Sequence, residues 1–212
     1  MKYKCILFDC DGVLVDTEAI SVQVLCELSA SLGLQLEFNH AIEVFTGLSL
    51  ISCFQYIQNR VGVALPSDFE QRFRKRTFEL FERELTAIPG IHEVIENLQV
   101  PFCVASSGPQ HKIALNLKLT GLYSHFEGNI FSCFDLQKWK PDPAIFLHAA
   151  KTMGFKPEEC VVIEDSVPGV KAAIAGGFDV YALATPHTEE RLSELGANLF
   201  YTMKDLLPLL SS

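Results

Sequence analysis

Four short stretches of the chain carry residue types that could do chemistry together. In "CILFDCDGVLVDTE" (5–18) an apolar run delivers Asp9 and Asp11, one residue apart. On an extended chain residues two apart share a face, so both carboxylates point one way and Cys10 the other. "VASSG" (104–108) brings Ser106, Ser107 and Gly108, "WKPDP" (139–143) brings Lys140, and "VVIEDS" (161–166) brings Glu164 and Asp165. Several carboxylates at one sheet edge repel, and some would be driven neutral. A hard divalent cation relieves that repulsion. Mg²⁺ is the expected ion, because it takes few protein carboxylates and leaves room for phosphate oxygens. Lys140 supplies a further positive charge. The Ser106–Gly108 turn offers a hydroxyl and the N–H groups of a helix start, an anion cradle. Metal, cradle, lysine and a spare carboxylate together describe a phosphoryl-transfer site. In such a site a carboxylate can attack phosphorus, and water then hydrolyses the acyl-phosphate. Gly12 suits the turn after the strand, where a side chain would crowd a substrate.

Each stretch alone has an ordinary reading. Asp-x-Asp is commonly a solvated turn, Ser-Ser-Gly-Pro a helix cap, Lys140 a surface lysine, and Glu164–Asp165 a cap for a helix starting near Ser166. Asp142, between two prolines, reads as a cap. Asp16 either caps the helix that follows or marks the exit of the chain from the core. What joins the four stretches is position, since each falls at an expected strand end or helix start.

The elements behind them are legible as short apolar runs alternating with helical patterns. The runs are "CILFD" (5–9), "FCVAS" (102–106), "VVIED" (161–165), "VYAL" (180–183) and "NLFY" (198–201). Continuous apolar runs suit strands buried on both faces, as in a parallel sheet. Helical patterns at 108–121, 141–154 and 166–177 follow them; the first opens on Pro109 and stops at Gly121. The alternation predicts an α/β fold, a doubly wound (Rossmann-like) parallel sheet. Ligands of such sheets bind at the carboxyl ends of the strands, where the four stretches lie. Residues 16–85 are helical in pattern throughout, too long for a crossover and too apolar for a linker. They predict a helical domain inserted into an α/β core made of residues 1–15 and 86–212, with "AIPG" (87–90) as the turn on return.

Composition narrows the function classes. The chain has 212 residues, 49% of them apolar, and a net charge of −9, which disfavours a nucleic-acid role. Its one basic cluster, Arg72, Arg74, Lys75 and Arg76, is either a solvated helix face or a patch that attracts an anionic substrate. Seven cysteines without a CxxC pair predict buried, reduced thiols. Asp9 interrupts the N-terminal apolar run too early for a signal peptide, and no apolar stretch reaches the length of a membrane span. The expectation is a soluble cytoplasmic protein acting on a small molecule, with no nucleic-acid or membrane partner; oligomeric state is not encoded legibly.

The four motifs, "DCDGVLVDT" (9–17), "VASSG" (104–108), "WKPDP" (139–143) and "VVIEDS" (161–166), resemble those of the haloacid dehalogenase superfamily, over essentially the whole chain. The nearest resemblance is to its phosphatases with a helical cap, in the β-phosphoglucomutase-like branch. The resemblance implies Asp9 as nucleophile and Mg²⁺ ligand. It implies Asp11 as the acid that protonates the leaving alcohol and then the base that activates water, its carbonyl also on the metal. It gives Ser106 and the Ser107 backbone to the phosphoryl group and Lys140 to the bridge between nucleophile and phosphate. Asp165 would complete the metal site, with Glu164 a direct ligand or one step behind. Thr46, Gly47 and the 72–76 cluster are candidates for substrate contact on the cap. The implied substrate is a sugar or sugar-acid phosphate of the 6-phosphogluconate kind.

Departures from the branch sharpen the expectation. Its mutases place a histidine where this chain has Ser21, a lysine at Thr46 and an arginine at Leu50, so hydrolysis is favoured over mutase chemistry. Asp11 argues against a dehalogenase. Lys75, the only lysine in 16–85, is poorly placed for a phosphonatase. A receiver-like phospho-acceptor, with a stable phospho-aspartate as signal, is the alternative from another class; the helical insert and Asp11 weigh against it.

Overall fold

The apolar runs assemble into one parallel sheet in the computed structural model, which describes residues 2–46 and 48–211. Its strands are β1 (Cys5–Phe8), β2 (Phe102–Ser106), β3 (Ile130–Ser132), β4 (Cys160–Glu164), β5 (Asp179–Leu183) and β6 (Asn198–Phe200). Their order is β3-β2-β1-β4-β5-β6, every neighbouring pair parallel. The α/β doubly wound architecture expected from the alternation is therefore present. Strand β3 has no counterpart among the expected runs. It is three residues long, at the sheet edge, and passes directly into the short helix Cys133–Leu136, so it leaves no sustained apolar run to read.

By its internal contacts the chain forms two compact units, one from the chain up to Asp16 together with the chain from Thr86 on, the other from Thr17–Leu85. In the first, β1 and β4 are buried at every position, as strands covered on both faces must be. On one face Leu7, Ala105 and Val162 pack with Ile145, Phe146, Ala149 and Val170 from the helices Ala144–Met153 and Val167–Ala175. On the other, Phe8, Phe102 and Phe126 meet edge to face, with centroids 5.1–6.3 Å apart. Each fully buried side chain of this size contributes about 2–3 kcal/mol. Together they make the strand ends a stiff platform. After β1 the chain turns tightly: the Leu14 and Val15 amides donate to the Cys10 carbonyl, and Gly12 adopts φ +80°. The Asp16 amide then donates to the Thr86 carbonyl (2.9 Å), and Val15 pairs with Ala87, so the outgoing and returning chains are tied together.

The second unit is helical, with Glu18–Ser31, Phe38–Phe45, Leu50–Val61 and Phe69–Glu84 and no strand among its described residues. Phe54 stacks edge to face on Phe69 and Phe73. Ser49 accepts from the Ser52 amide, capping its helix. Of the basic cluster, Arg74 pairs with Glu70 and Arg76 with Glu27 and Glu79, so these two arginines belong to an ion-paired helix face.

All seven cysteines are free thiols, six buried and Cys26 partly so. Among the described residues no helix is long and apolar enough to cross a membrane.

Candidate active site

Three neighbouring strands deliver the acidic and hydroxyl groups. Asp9 follows β1, Ser106 ends β2, and Glu164 ends β4, all at the carboxyl edge of the sheet. Register brings them level: the Asp9 amide donates to the Ile163 carbonyl (2.9 Å), which places Asp9 beside Glu164. The sheet order reverses here, since β2 lies on one side of β1 and β4 on the other, and such a reversal opens the crevice in which ligands of doubly wound sheets sit.

Lys140 is the hub. Its Nζ lies 2.8 Å from Asp9 Oδ1 and 2.7 Å from Glu164 Oε1, and its side chain is only 4% exposed. The ammonium also sits over the Phe146 ring. Burial alone would lower the Lys140 pKa, yet the two carboxylates hold it well above the ordinary lysine range. Burial pushes the Asp9 carboxyl well above the carboxylate range; Lys140 opposes the rise and Glu164 adds to it. A buried carboxyl raised in this way is suited to a cation, which would restore its charged form.

Glu164 is fully buried, and both its oxygens are engaged. Oε1 takes Lys140, while Oε2 accepts from the Asp165 amide (3.0 Å), the Ser166 amide (2.9 Å) and the Ser166 hydroxyl (2.9 Å). The glycine at 169 makes this possible, because a Cβ there would fall on the Glu164 carboxylate. At Gly12 a Cβ would fall on Asp165. Asp9, Glu164 and Asp165 each offer an oxygen within 4.8 Å of the other two. A carboxylate cluster of this kind fits a hard cation such as Mg²⁺, whichever of the three supply its direct ligands.

The remaining candidates fall as follows. Ser106 is buried and its Oγ accepts from the Gly108 amide (3.1 Å), closing the turn before the helix Gln110–Leu119. Ser107 is exposed in that turn. Asp142 accepts from the Ala144 amide, as a cap does. Asp16 does not cap the helix that follows, whose N-cap is Thr17 with no side-chain cap bond. Thr46 ends the helix Phe38–Phe45 in the second unit, and Gly47 lies outside the described residues.

Two residues near Asp11 escaped the sequence reading. Lys112 Nζ lies 2.8 Å from Asp11 Oδ2, and Asn116 Nδ2 lies 3.5 Å from Asp11 Oδ1. Burial would lower Lys112, but Asp11 beside it holds it above its ordinary value. The available signal was Asn116 itself, a polar residue in the otherwise apolar stripe Ile113–Leu117 of a core-facing helix.

A family model described as haloacid dehalogenase-like hydrolase matches residues 3–177. The chain is 33% identical over 190 residues to 6-phosphogluconate phosphatase of Escherichia coli, covering 89% of this chain and 86% of that protein. Among solved structures it resembles a haloacid dehalogenase-like protein from Agrobacterium tumefaciens (TM-score 0.90, 31% identity, 99% of this chain and 98% of that one). It also resembles a hydrolase of the family from Deinococcus radiodurans with bound phosphate and sodium (TM-score 0.86, 31% identity, 99% and 96%). With its sheet-edge carboxylates and buried lysine, the chain belongs to the haloacid dehalogenase-like hydrolases and is a phosphatase of that family.

Proposed function

We propose that the protein is a Mg²⁺-dependent phosphomonoesterase that hydrolyses a small sugar or sugar-acid phosphate through a phospho-aspartate at Asp9. The observation that carries this reading is Lys140 held between Asp9 and Glu164 at the strand ends. An ammonium at 2.8 Å from the attacking carboxylate offsets the repulsion between that carboxylate and a phosphoryl dianion. The similarity to 6-phosphogluconate phosphatase of Escherichia coli supports the substrate class.

In the first step an Asp9 oxygen bonds to phosphorus while the ester P–O bond breaks, and the leaving oxygen takes a proton from the Asp11 carboxyl. In the second, water attacks phosphorus, Asp11 takes back a proton, and the Asp9 O–P bond breaks to release inorganic phosphate. Ser106, the Ser107 amide and Lys140 bind the phosphoryl oxygens. Asp9, Asp165 and the Asp11 carbonyl would hold Mg²⁺, whose role is to neutralise charge on those oxygens. Glu164, with both oxygens already engaged, positions Lys140 and stays out of the metal's coordination. We read the helical unit Thr17–Leu85 as the family's cap, whose role is to exclude water from the reaction, with Thr46 and Gly47 as the sequence candidates for substrate contact.

The test is phosphate release with Mg²⁺ over phosphogluconate, hexose phosphates, polyol phosphates, phosphoglycolate and nucleotides, for wild type and Asp9→Asn. Turnover on a sugar or sugar-acid phosphate, lost in Asp9→Asn and on chelation, is expected. Full activity in Asp9→Asn would remove Asp9 as nucleophile, and one equivalent of stable acyl-phosphate without turnover would favour the phospho-acceptor.

A further inference from the structure

Two donors from one helix hold the Asp11 carboxylate. Asp11 follows the last residue of the buried segment by one position and precedes Gly12 at φ +80°, so its side chain is a third exposed on a turn. A carboxylate so placed has a broad terminal torsion and no packing to fix it. Yet each of its oxygens meets a separate donor, Lys112 on Oδ2 and Asn116 on Oδ1. The donors are four residues apart on the helix Gln110–Leu119, hence on one face of it. That helix is rigidly mounted, with Ile113, Asn116 and Leu117 buried, and it opens from the turn that Ser106 closes. Asn116 is fully buried, and its Oδ1 has no hydrogen-bond partner. An unpartnered buried carbonyl beside a carboxyl has a use if that carboxyl gains a proton, since rotation of the amide turns a donor into an acceptor.

We propose that Lys112, with Asn116, is a positioning residue for Asp11, fixing the carboxyl plane so that its proton is aimed at the leaving oxygen. The proposal rests on the reading of Asp11 as the group that exchanges that proton. Held from both oxygens, Asp11 presents its remaining lone pairs in one orientation. Freed of Lys112, it samples several, and proton delivery loses the advantage of fixed geometry. The loss falls on leaving groups that need a proton and spares those that do not.

The experiment compares kcat/KM for phenyl phosphate and p-nitrophenyl phosphate, two probes that differ in how much the leaving oxygen needs protonation. The ratio kcat/KM reports steps up to phosphorylation of Asp9, so Asp11 enters it only as an acid. Lys112→Met is expected to lower kcat/KM for phenyl phosphate by on the order of tenfold more than for p-nitrophenyl phosphate. Lys112→Arg is expected to restore most of the loss, and Asn116→Leu to show a smaller selective loss. Equal falls on both probes, or none, overturn the proposal; so does a selective loss that Lys112→Arg fails to relieve. Thermal melting identifies any variant that fails to fold, and in that case Asn116→Leu and Lys112→Arg decide the outcome by the same ratio. Asp11→Asn separates the two levels. If it loses phenyl phosphate selectively while Lys112→Met does not, only the positioning role fails. If Asp11→Asn shows no selectivity, the acid role of Asp11 fails.

Discussion

Gly169→Ala reverses the usual sign of a glycine-to-alanine change in a helix. Gly169 lies in the first turn of the helix Val167–Ala175, where propensity alone would make alanine more stable by about 1 kcal/mol. The added methyl, however, would fall on the Glu164 carboxylate. That carboxylate is fully buried and holds Lys140 at 2.7 Å, together with three donors on its other oxygen. Displacing it separates a buried ion pair, a cost of about 3–5 kcal/mol when one charge is left unpaired. Subtracting the helix gain leaves a net loss of about 2–4 kcal/mol. For a chain of this size that is roughly 5–15 °C in melting temperature. Lys140 also loses one of its two anchors, so kcat is expected to fall with stability. Urea unfolding and calorimetry measure the first effect, and phosphate release measures the second. A Gly169→Ala protein as stable as wild type, or more so, with full activity would refute the argument that Glu164 lies beneath the start of this helix.

Other perturbations separate roles within the cluster. Asp165→Asn is expected to raise the Mg²⁺ concentration for half-maximal activity by tenfold or more, on the order seen for lost ligands and their close supports. Glu164→Gln is expected to lower melting temperature while shifting that concentration little, and Mg²⁺ titration of the two variants side by side checks the distinction. Gly12→Ala forces a residue with a Cβ into φ +80° and onto Asp165. Strain alone costs about 1–3 kcal/mol, and activity is expected to fall by at least the same factor in free energy, measured as kcat/KM. Arg76→Ala removes partly exposed pairs with Glu27 and Glu79 and is expected to change stability by no more than about 1 kcal/mol and KM not at all.

The strand ends were the most legible part of the molecule, for a physical reason. A strand buried on both faces must be apolar until the sheet edge, so the first charges after "CILF" and "VVI" announce that edge and what stands there. Lys140 was legible as a charge beside a helix start, and the resemblance set it against Asp9; its second partner, Glu164, was not legible, because it arrives on the neighbouring strand β4. Strand β3 was too short to leave a period. Lys112 hid as one basic residue on a helix with an exposed face, and Asn116 one turn later was the polar residue that broke the apolar stripe on that side. The three local donors to Glu164 and the absent side chain at 169 are packing information that composition does not carry.

The register of β1 has a consequence for how the protein is made. Ile6 pairs with Phe102 and Cys5 with Cys160, so the central strand waits for most of the chain before it has a neighbour on either side. The pairings just after it, Val15 with Ala87 and Asp16 with Thr86, also need chain beyond the helical unit. The contacts inside Thr17–Leu85 are local by comparison, and local contacts form fastest. On the ribosome the helical unit therefore has the means to fold while β1 is still unpaired, with its apolar residues in need of shelter. The carboxylates of the active site come together only when β4 docks, which makes competence for catalysis one of the last properties the chain acquires.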